Sequence, residues 1–144
     1  MSSQYRGVIP AASPEAVESI LEAIDFIEKG DREVAGRAIE GSYRATVGLL
    51  GTAPRSDPVW DRMGFDFVHY AMWAIKLDLV DLVTNSGFRA QIKDCRKSPP
   101  IAEASPELTV RFELLFERSR RNPPQALGRS RFQGIVGNLR RPRG

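Results

Sequence analysis

The sequence predicts an all-α fold with four main helices in a bundle-like single domain, and three observations carry that expectation. Helix-start chemistry recurs at Ser13-Pro14-Glu15, Asp57-Pro58 and Ser105-Pro106-Glu107. Each sets a capping side chain before a proline at the first helical position, where a missing N–H costs nothing, and two add an early carboxylate that suits the helix dipole. Apolar residues then repeat at three-four spacing, the period of one buried helical face. Finally, 144 residues with 42% hydrophobic content suffice to bury one core without disulfides or metal.

The elements follow in order. Residues 1–12 read as an extended N-terminal arm, 13–121 as the helical domain and 122–144 as an arginine-rich C-terminal extension. After Ser13, Val17, Ile20, Leu21, Ile24 and Ile27 form one stripe, and Gly30 is the stop. Asp31 caps a second helix with the stripe Val34, Ala38, Ile39, Tyr43, Thr46, Val47 and Leu50. Its glycines Gly36, Gly41 and Gly48 suggest close helix contact or weak intrinsic helicity. The short connection makes these two helices antiparallel neighbours.

A loop from Gly51 to Ser56 leads to a third helical region, Asp57 to about Thr84, bent near Gly64. Its stripe of Val68, Met72, Ile75, Leu79, Leu82 and Val83 is the longest in the chain, and Asn85-Ser86-Gly87 ends it. A short helical piece follows from Phe88 to Cys95, then a linker at Ser98-Pro99-Pro100. The fourth main helix starts at Ser105, puts Leu108, Phe112, Leu115 and Phe116 on one side, and stops at Asn122-Pro123-Pro124. Within the extension, Ser130 and Gln133 form a capping-box pattern, with Phe132, Ile135, Val136 and Leu139 at helical spacing.

Charge is segregated along this chain. Its last 29 residues hold Arg118, Arg120, Arg121, Arg129, Arg131, Arg140, Arg141 and Arg143 against the single acid Glu117, a local charge of +7. The remainder is at −4, so the net charge of +3 conceals an acidic body with a basic end. Arginine is planar, permanently charged and bidentate toward phosphate, and it stacks on bases. Phe132 adds an aromatic plane among Arg129, Arg131 and the terminal cluster, so these eight arginines with Phe132 form the candidate nucleic-acid-binding set.

Enzymatic chemistry is thinly supplied. The chain has one histidine and one cysteine, with no phosphate-cradling glycine loop and no clustered metal ligands, so no catalytic residue, cofactor or metal is assigned. His69 reads as a structural histidine and Cys95 as a spare surface thiol beside Arg96-Lys97. Asp78 and Asp81, one turn apart, would share a solvated helix side or hold a cation. Arg37 and Arg44 would pair with Glu33 and Glu40, each four residues earlier. A lone cysteine and the lack of a signal-like start point to a reducing, cytoplasmic setting. The strongest apolar run, Val68 to Leu82, is interrupted by charge and falls short of the roughly 20 apolar residues a transmembrane helix needs.

The order of these features resembles the coat proteins of rod-shaped plant viruses of the tobacco mosaic virus type. The shared features are an extended start (Tyr5 to Pro10), two helices, a loop into Phe65-Asp66-Phe67-Val68-His69-Tyr70, a long apolar helix, and Ser98-Pro99-Pro100 before Leu108-Thr109-Val110-Arg111. Arg129-Ser130-Arg131-Phe132-Gln133 is similar to the family's Arg-x-x-Phe-Glu signature, with Gln133 in place of the glutamate, so only Arg129 and Phe132 inherit a role. The resemblance implies a four-helix bundle that stacks helically around single-stranded RNA, held between subunits, with residence in the virion.

Together these features lead to the expectation of a non-enzymatic, self-assembling structural protein that binds single-stranded RNA, as a viral coat or nucleocapsid protein does, with a homo-oligomer or helical assembly as its form. The alternative is a helical adaptor whose basic tail docks on an acidic protein partner. Neither involves a membrane.

Overall fold

The computed structural model describes residues 7–121, with side chains placed through Arg118. These residues form six α-helices: α1 (Pro14–Glu28), α2 (Arg32–Thr52), α3 (Val59–Met63), α4 (Asp66–Lys76), α5 (Ser86–Lys97) and α6 (Pro106–Arg121). A 3-10 turn at Val80–Leu82 lies between α4 and α5. The all-α class holds, but five helices exceed ten residues where four were expected, because the Asp57–Thr84 region is not one bent helix.

Two local devices divide that region. At Gly64 a Cβ would lie 2.2 Å from the Trp60 carbonyl oxygen, so only glycine fits where α3 turns into α4. At the other end Asp78 adopts the left-handed conformation, φ 59°. The N–H of Leu79 bonds the Ala74 carbonyl and that of Asp78 bonds the Ile75 carbonyl, the Schellman pattern, with Leu77 and Leu79 sealed in the core behind it. The apolar spacing runs on through this stop, because a turn that buries Leu79 and Val83 serves the core as well as a helix would.

The start of α1 follows its sequence signal: Ser13 Oγ accepts from the Ala16 N–H at 3.1 Å, with Pro14 in the first turn. Gly30, φ 82°, and a second Schellman pair (Asp31 N–H to Phe26, Gly30 N–H to Ile27) end it. Asp31 precedes α2 as expected, but its side chain makes no capping bond. Asn85 does not end a helix. It begins one, its side chain accepting from the Phe88 N–H at 2.9 Å, and α5 runs to Lys97, longer than the piece expected.

The core lies between α1, α2 and α4, closed by α5 and α6. Ile20, Ile24, Ile39, Val68, Tyr70, Leu77, Phe88 and Ile92 are sealed within it. Each large aliphatic side chain there contributes about 1.5–3 kcal/mol by leaving water. Tyr43 of α2 stacks on Phe88 of α5 with ring centroids 4.4 Å apart, and Trp73 of α4 meets Phe112 of α6 edge to face at 5.5 Å. Gly36 alone of the α2 glycines touches a neighbour, Leu82. Around Gly41, Gly48 and Gly51 there is open space.

Polar side chains fasten the joints. Asp66, buried at the start of α4, accepts from both the N–H and the hydroxyl of Ser13, at 3.0 and 2.5 Å, tying α4 to the start of α1. His69, one turn later, is also buried. Its Nε2 lies 2.7 Å from the Pro10 carbonyl oxygen, which can only accept, so that nitrogen carries the proton. Residues 7–12 are held further by a parallel bridge between Ile9 and Ala102: the Ile9 N–H donates to Ile101 and the Glu103 N–H to Ile9.

Candidate nucleic-acid interface

The basic segment begins on α6. Leu108 and Leu115, both 1% exposed, anchor that helix, with Phe112 packed beside them. Phe116, expected on the same side, is 49% exposed. One face further round, Arg111 donates to Asp25 Oδ1 at 2.5 Å and to Glu28 Oε1 at 3.3 Å, joining α6 to α1. The hydrogen bond to Asp25, with the charges of both carboxylates, raises the Arg111 pKa above its ordinary value.

Of the nine candidate binding residues, the structure gives a side-chain position to Arg118 alone. It is 61% exposed, with Nη1 3.8 Å from Glu28 Oε2. Arg120 and Arg121 lie in the last turn of α6. Arg129, Arg131, Phe132, Arg140, Arg141 and Arg143 lie outside the described residues, as do the helix stop at Asn122-Pro123-Pro124 and the capping box at Ser130. Arg111 was not among the candidates. Its signal is the two-turn spacing to Arg118, which places both on one side of α6 against Glu28.

Other charged residues are placed differently from expectation. Glu40 does not pair with Arg44. Its carboxylate accepts from the Thr84 N–H, the Thr84 hydroxyl and the Asn85 N–H, each at 3.0 Å, and so pins the start of α5 to α2. Arg37 and Arg44 are exposed, and among the described residues no ion pair joins either to a carboxylate. Asp78 and Asp81 do not share a helix side or form a cation site. The Asp81 carboxylate takes both guanidinium nitrogens of Arg32, which also bonds the Asp78 carbonyl oxygen. Arg55 lies over the Trp60 ring at 4.3 Å.

Cys95 is not a surface thiol. It is 5% exposed, and burial, reinforced by Asp94, pushes its pKa above the ordinary thiol value, the opposite of an activated nucleophile. Burial likewise raises Asp66 above the usual carboxylate range, against the lowering effect of the Ser13 hydrogen bonds and of His69. Clefts among the described residues include the following two. An open one of about 470 Å³ lies beside Glu28, Arg111, Leu114 and Arg118, and one of about 110 Å³ lies beside His69, Trp73, Lys76 and Glu103. Among these residues no group of three or more His, Cys, Asp or Glu is placed to hold a metal ion, and no helix is long and apolar enough to cross a membrane.

No protein-family model, curated protein or solved structure matches this chain.

Proposed function

We propose that this is a non-enzymatic structural protein that binds single-stranded RNA through its arginine-rich C-terminal segment and self-associates, with a viral coat or nucleocapsid role as its concrete form. The observation that supports it is the segregation of charge: eight arginines against one acid in the last 29 residues, following an acidic body. The geometry adds a firm base, because Leu108, Leu115 and the Arg111 clamp fix α6 to α1 while Arg118 stays exposed. His69 and Cys95, the residues with most catalytic potential, are used in packing. The resemblance to rod-shaped plant virus coat proteins supplies the coat-like form, with Arg129 and Phe132 as its binding residues.

Binding of this kind is electrostatic and tolerant of sequence. If five to eight phosphates of a single strand are contacted, log K falls against log salt with a slope of about −0.7 per contact, or about −3.5 to −5.6. The protein would be purified at high salt, stripped of nucleic acid and sized by light scattering and electron microscopy at low salt, with and without a generic single-stranded RNA. Salt-sensitive, RNA-dependent rods or rings support the proposal. A small particle that ignores RNA overturns it.

One observation favours the alternative, a helical adaptor that docks on an acidic protein. Arg111 and Arg118 both engage carboxylates within this molecule. Phe132→Ala separates the two. Base stacking is worth about 1–3 kcal/mol per base, so RNA affinity drops with this variant, whereas docking on acidic side chains depends on the arginines alone.

A further inference from the structure

One side of α5 is cationic although the chain before Phe116 is acidic overall. Arg89, Lys93, Arg96 and Lys97 are all exposed, and their spacing sets them within about 100° of arc on one side of the helix. The opposite side buries Phe88, Ile92 and Cys95 in the core. Asp94, the only acid of α5, falls outside that arc. Among the described residues no ion pair joins any of the four cations to a carboxylate. Arg89 Nη1 donates to the Val83 carbonyl oxygen at 2.9 Å, which steadies its guanidinium at the start of the row. Acidic side chains gather elsewhere, with Glu15, Glu18, Glu22 and Asp25 exposed along α1.

Folding does not account for this row. Arg96 and Lys97, in the last turn, suit the helix dipole, but Arg89 stands near the positive end and like charges one turn apart oppose the helix. A membrane surface would require an apolar side on α5, and that side is already spent on the core. A protein partner would require an apolar centre, since interface cores are poor in charge, and no large apolar side chain of α5 is exposed. Phosphates suit the row as it stands. We propose that Arg89, Lys93, Arg96 and Lys97 form a second contact site for the RNA, a site on the packed domain that holds the sugar–phosphate backbone. This inference rests on the RNA binding proposed above and adds to it a place on the folded body.

The chemistry follows from the side chains. A phosphate that meets one of these cations takes no partner from a carboxylate, whereas Arg111 would have to leave Asp25 and Glu28. The row extends about 12 Å from Arg89 to Lys97, with arginine available for bidentate contact and lysine acting as a point charge. It carries no aromatic side chain, so it positions a strand without stacking on or reading its bases. Its base is firm. The Tyr43–Phe88 stack and the Glu40 hydrogen bonds to Thr84 and Asn85 fix α5 to α2. A strand held by the C-terminal segment and by α5 of the same chain would gain affinity from the linkage of the two sites.

Lysine chemistry supplies the test, because the chain's lysines are Lys29, Lys76, Lys93 and Lys97 and its basic C-terminal segment has none. The whole chain is acylated with and without a short single-stranded RNA, each lysine is followed by mass spectrometry, and RNA binding is measured separately by fluorescence anisotropy. RNA should protect Lys93 and Lys97, reversibly with salt, while Lys29 at the end of α1 continues to react. Lys93→Ala/Lys97→Ala, shown folded by circular dichroism, should lower the salt slope by about 1.4, so that the affinity lost at 0.1 M salt exceeds that lost at 1 M by roughly 25-fold. Lys93→Arg/Lys97→Arg should keep the slope, and so should Lys29→Ala/Arg55→Ala, which removes the same charge from exposed positions away from α5. RNA that binds while Lys93 and Lys97 react freely, with an unchanged slope in the alanine variant, overturns this site and leaves binding by the C-terminal segment standing. An equal fall in slope for Lys29→Ala/Arg55→Ala also overturns it, by assigning the effect to overall charge. Protection that grows with protein concentration and needs no RNA gives the row to a protein partner and overturns it too. A wild-type chain that binds no RNA overturns both proposals.

Discussion

Replacing Asp66 probes the joint on which the start of α1 depends. Its carboxylate accepts the N–H and the hydroxyl of Ser13, while Ser13 Oγ accepts the Ala16 N–H, so one buried acid orients the cap of another helix. Two hydrogen bonds to a charged acceptor are worth about 1.5–3 kcal/mol each, and removing the carboxylate takes away the acceptor of both the Ser13 N–H and its hydroxyl. Against this stands relief of burying the acid, so Asp66→Ala is expected to cost about 2–4 kcal/mol and Asp66→Asn, which keeps one acceptor, about 1–2. The acid also sets a pH dependence. Its folded pKa is raised above the ordinary 3.8 mainly by burial, with Glu15 adding to the rise and His69 opposing it. A raised carboxylate contributes stability that is fully present below its unfolded pKa and lost as pH rises through the folded one. The wild type should therefore gain on Asp66→Asn as pH falls from 7 toward 4. Urea unfolding followed by circular dichroism at several pH values measures both effects. A stability gap that stays flat, or widens as pH rises, would refute the assignment of a buried, destabilised charge.

Alanine substitution in α2 should split by position. At Gly36 the new Cβ would lie 2.9 Å from Leu82 Cδ1, so Gly36→Ala costs about 1–3 kcal/mol of overpacking less about 1 of improved helicity, whereas Gly41→Ala and Gly48→Ala, in open space, each stabilise by about 0.5–1. Thermal melts of the three variants give the comparison, and a uniform sign would count against the packing described. Glu40→Ala removes three hydrogen bonds at the α2–α5 joint and should lower stability by about 1–3 kcal/mol, with the largest loss of exchange protection at Thr84 and Asn85. Cys95 in the native protein should resist a thiol reagent and react only on unfolding, and rapid modification at neutral pH would contradict its burial.

How legible the fold was in the sequence depended on whether each signal was local. Ser13-Pro14 announced α1 and Gly30 its end, because a cap and a left-handed glycine act within their own turn. The end of α4 was hidden because aspartate, not glycine, takes the left-handed position at Asp78, and the apolar spacing continues across the break. Asn85 was assigned to the wrong side of its helix. Asparagine serves both as an N-cap and as a stop, and the choice is made by Glu40, 45 residues earlier, which holds the preceding backbone. The same distance effect misled the charge pairing, since i, i+4 spacing permits Glu40 to meet Arg44 but three donors at Thr84 and Asn85 satisfy the carboxylate better. The candidate site was legible as composition. Its geometry was readable only where α6 meets α1.

That meeting divides the arginines into two kinds. Arg111, 29% exposed, holds two carboxylates at once, so moving it to a phosphate would strand Asp25 and leave Glu28 with only the long pairing to Arg118 at the end of α1. Arg118 shares only Glu28, at 3.8 Å and with most of its surface in water, a pairing worth at most about 1 kcal/mol and weakened by salt. Glu28 keeps Arg111 when Arg118 leaves, so releasing Arg118 to a phosphate strands no charge. The boundary between arginines that build the domain and those available to a polyanion therefore falls between Arg111 and Arg118, within two turns of one helix. If the chain binds RNA as proposed, Arg111→Ala should loosen α6 while leaving the salt slope of that binding unchanged, and Arg118→Ala should leave stability within about 0.5 kcal/mol while reducing the slope by about 0.7. If both variants lowered the slope equally, Arg111 would belong to the binding set, and the clamp on α1 would not be its main role.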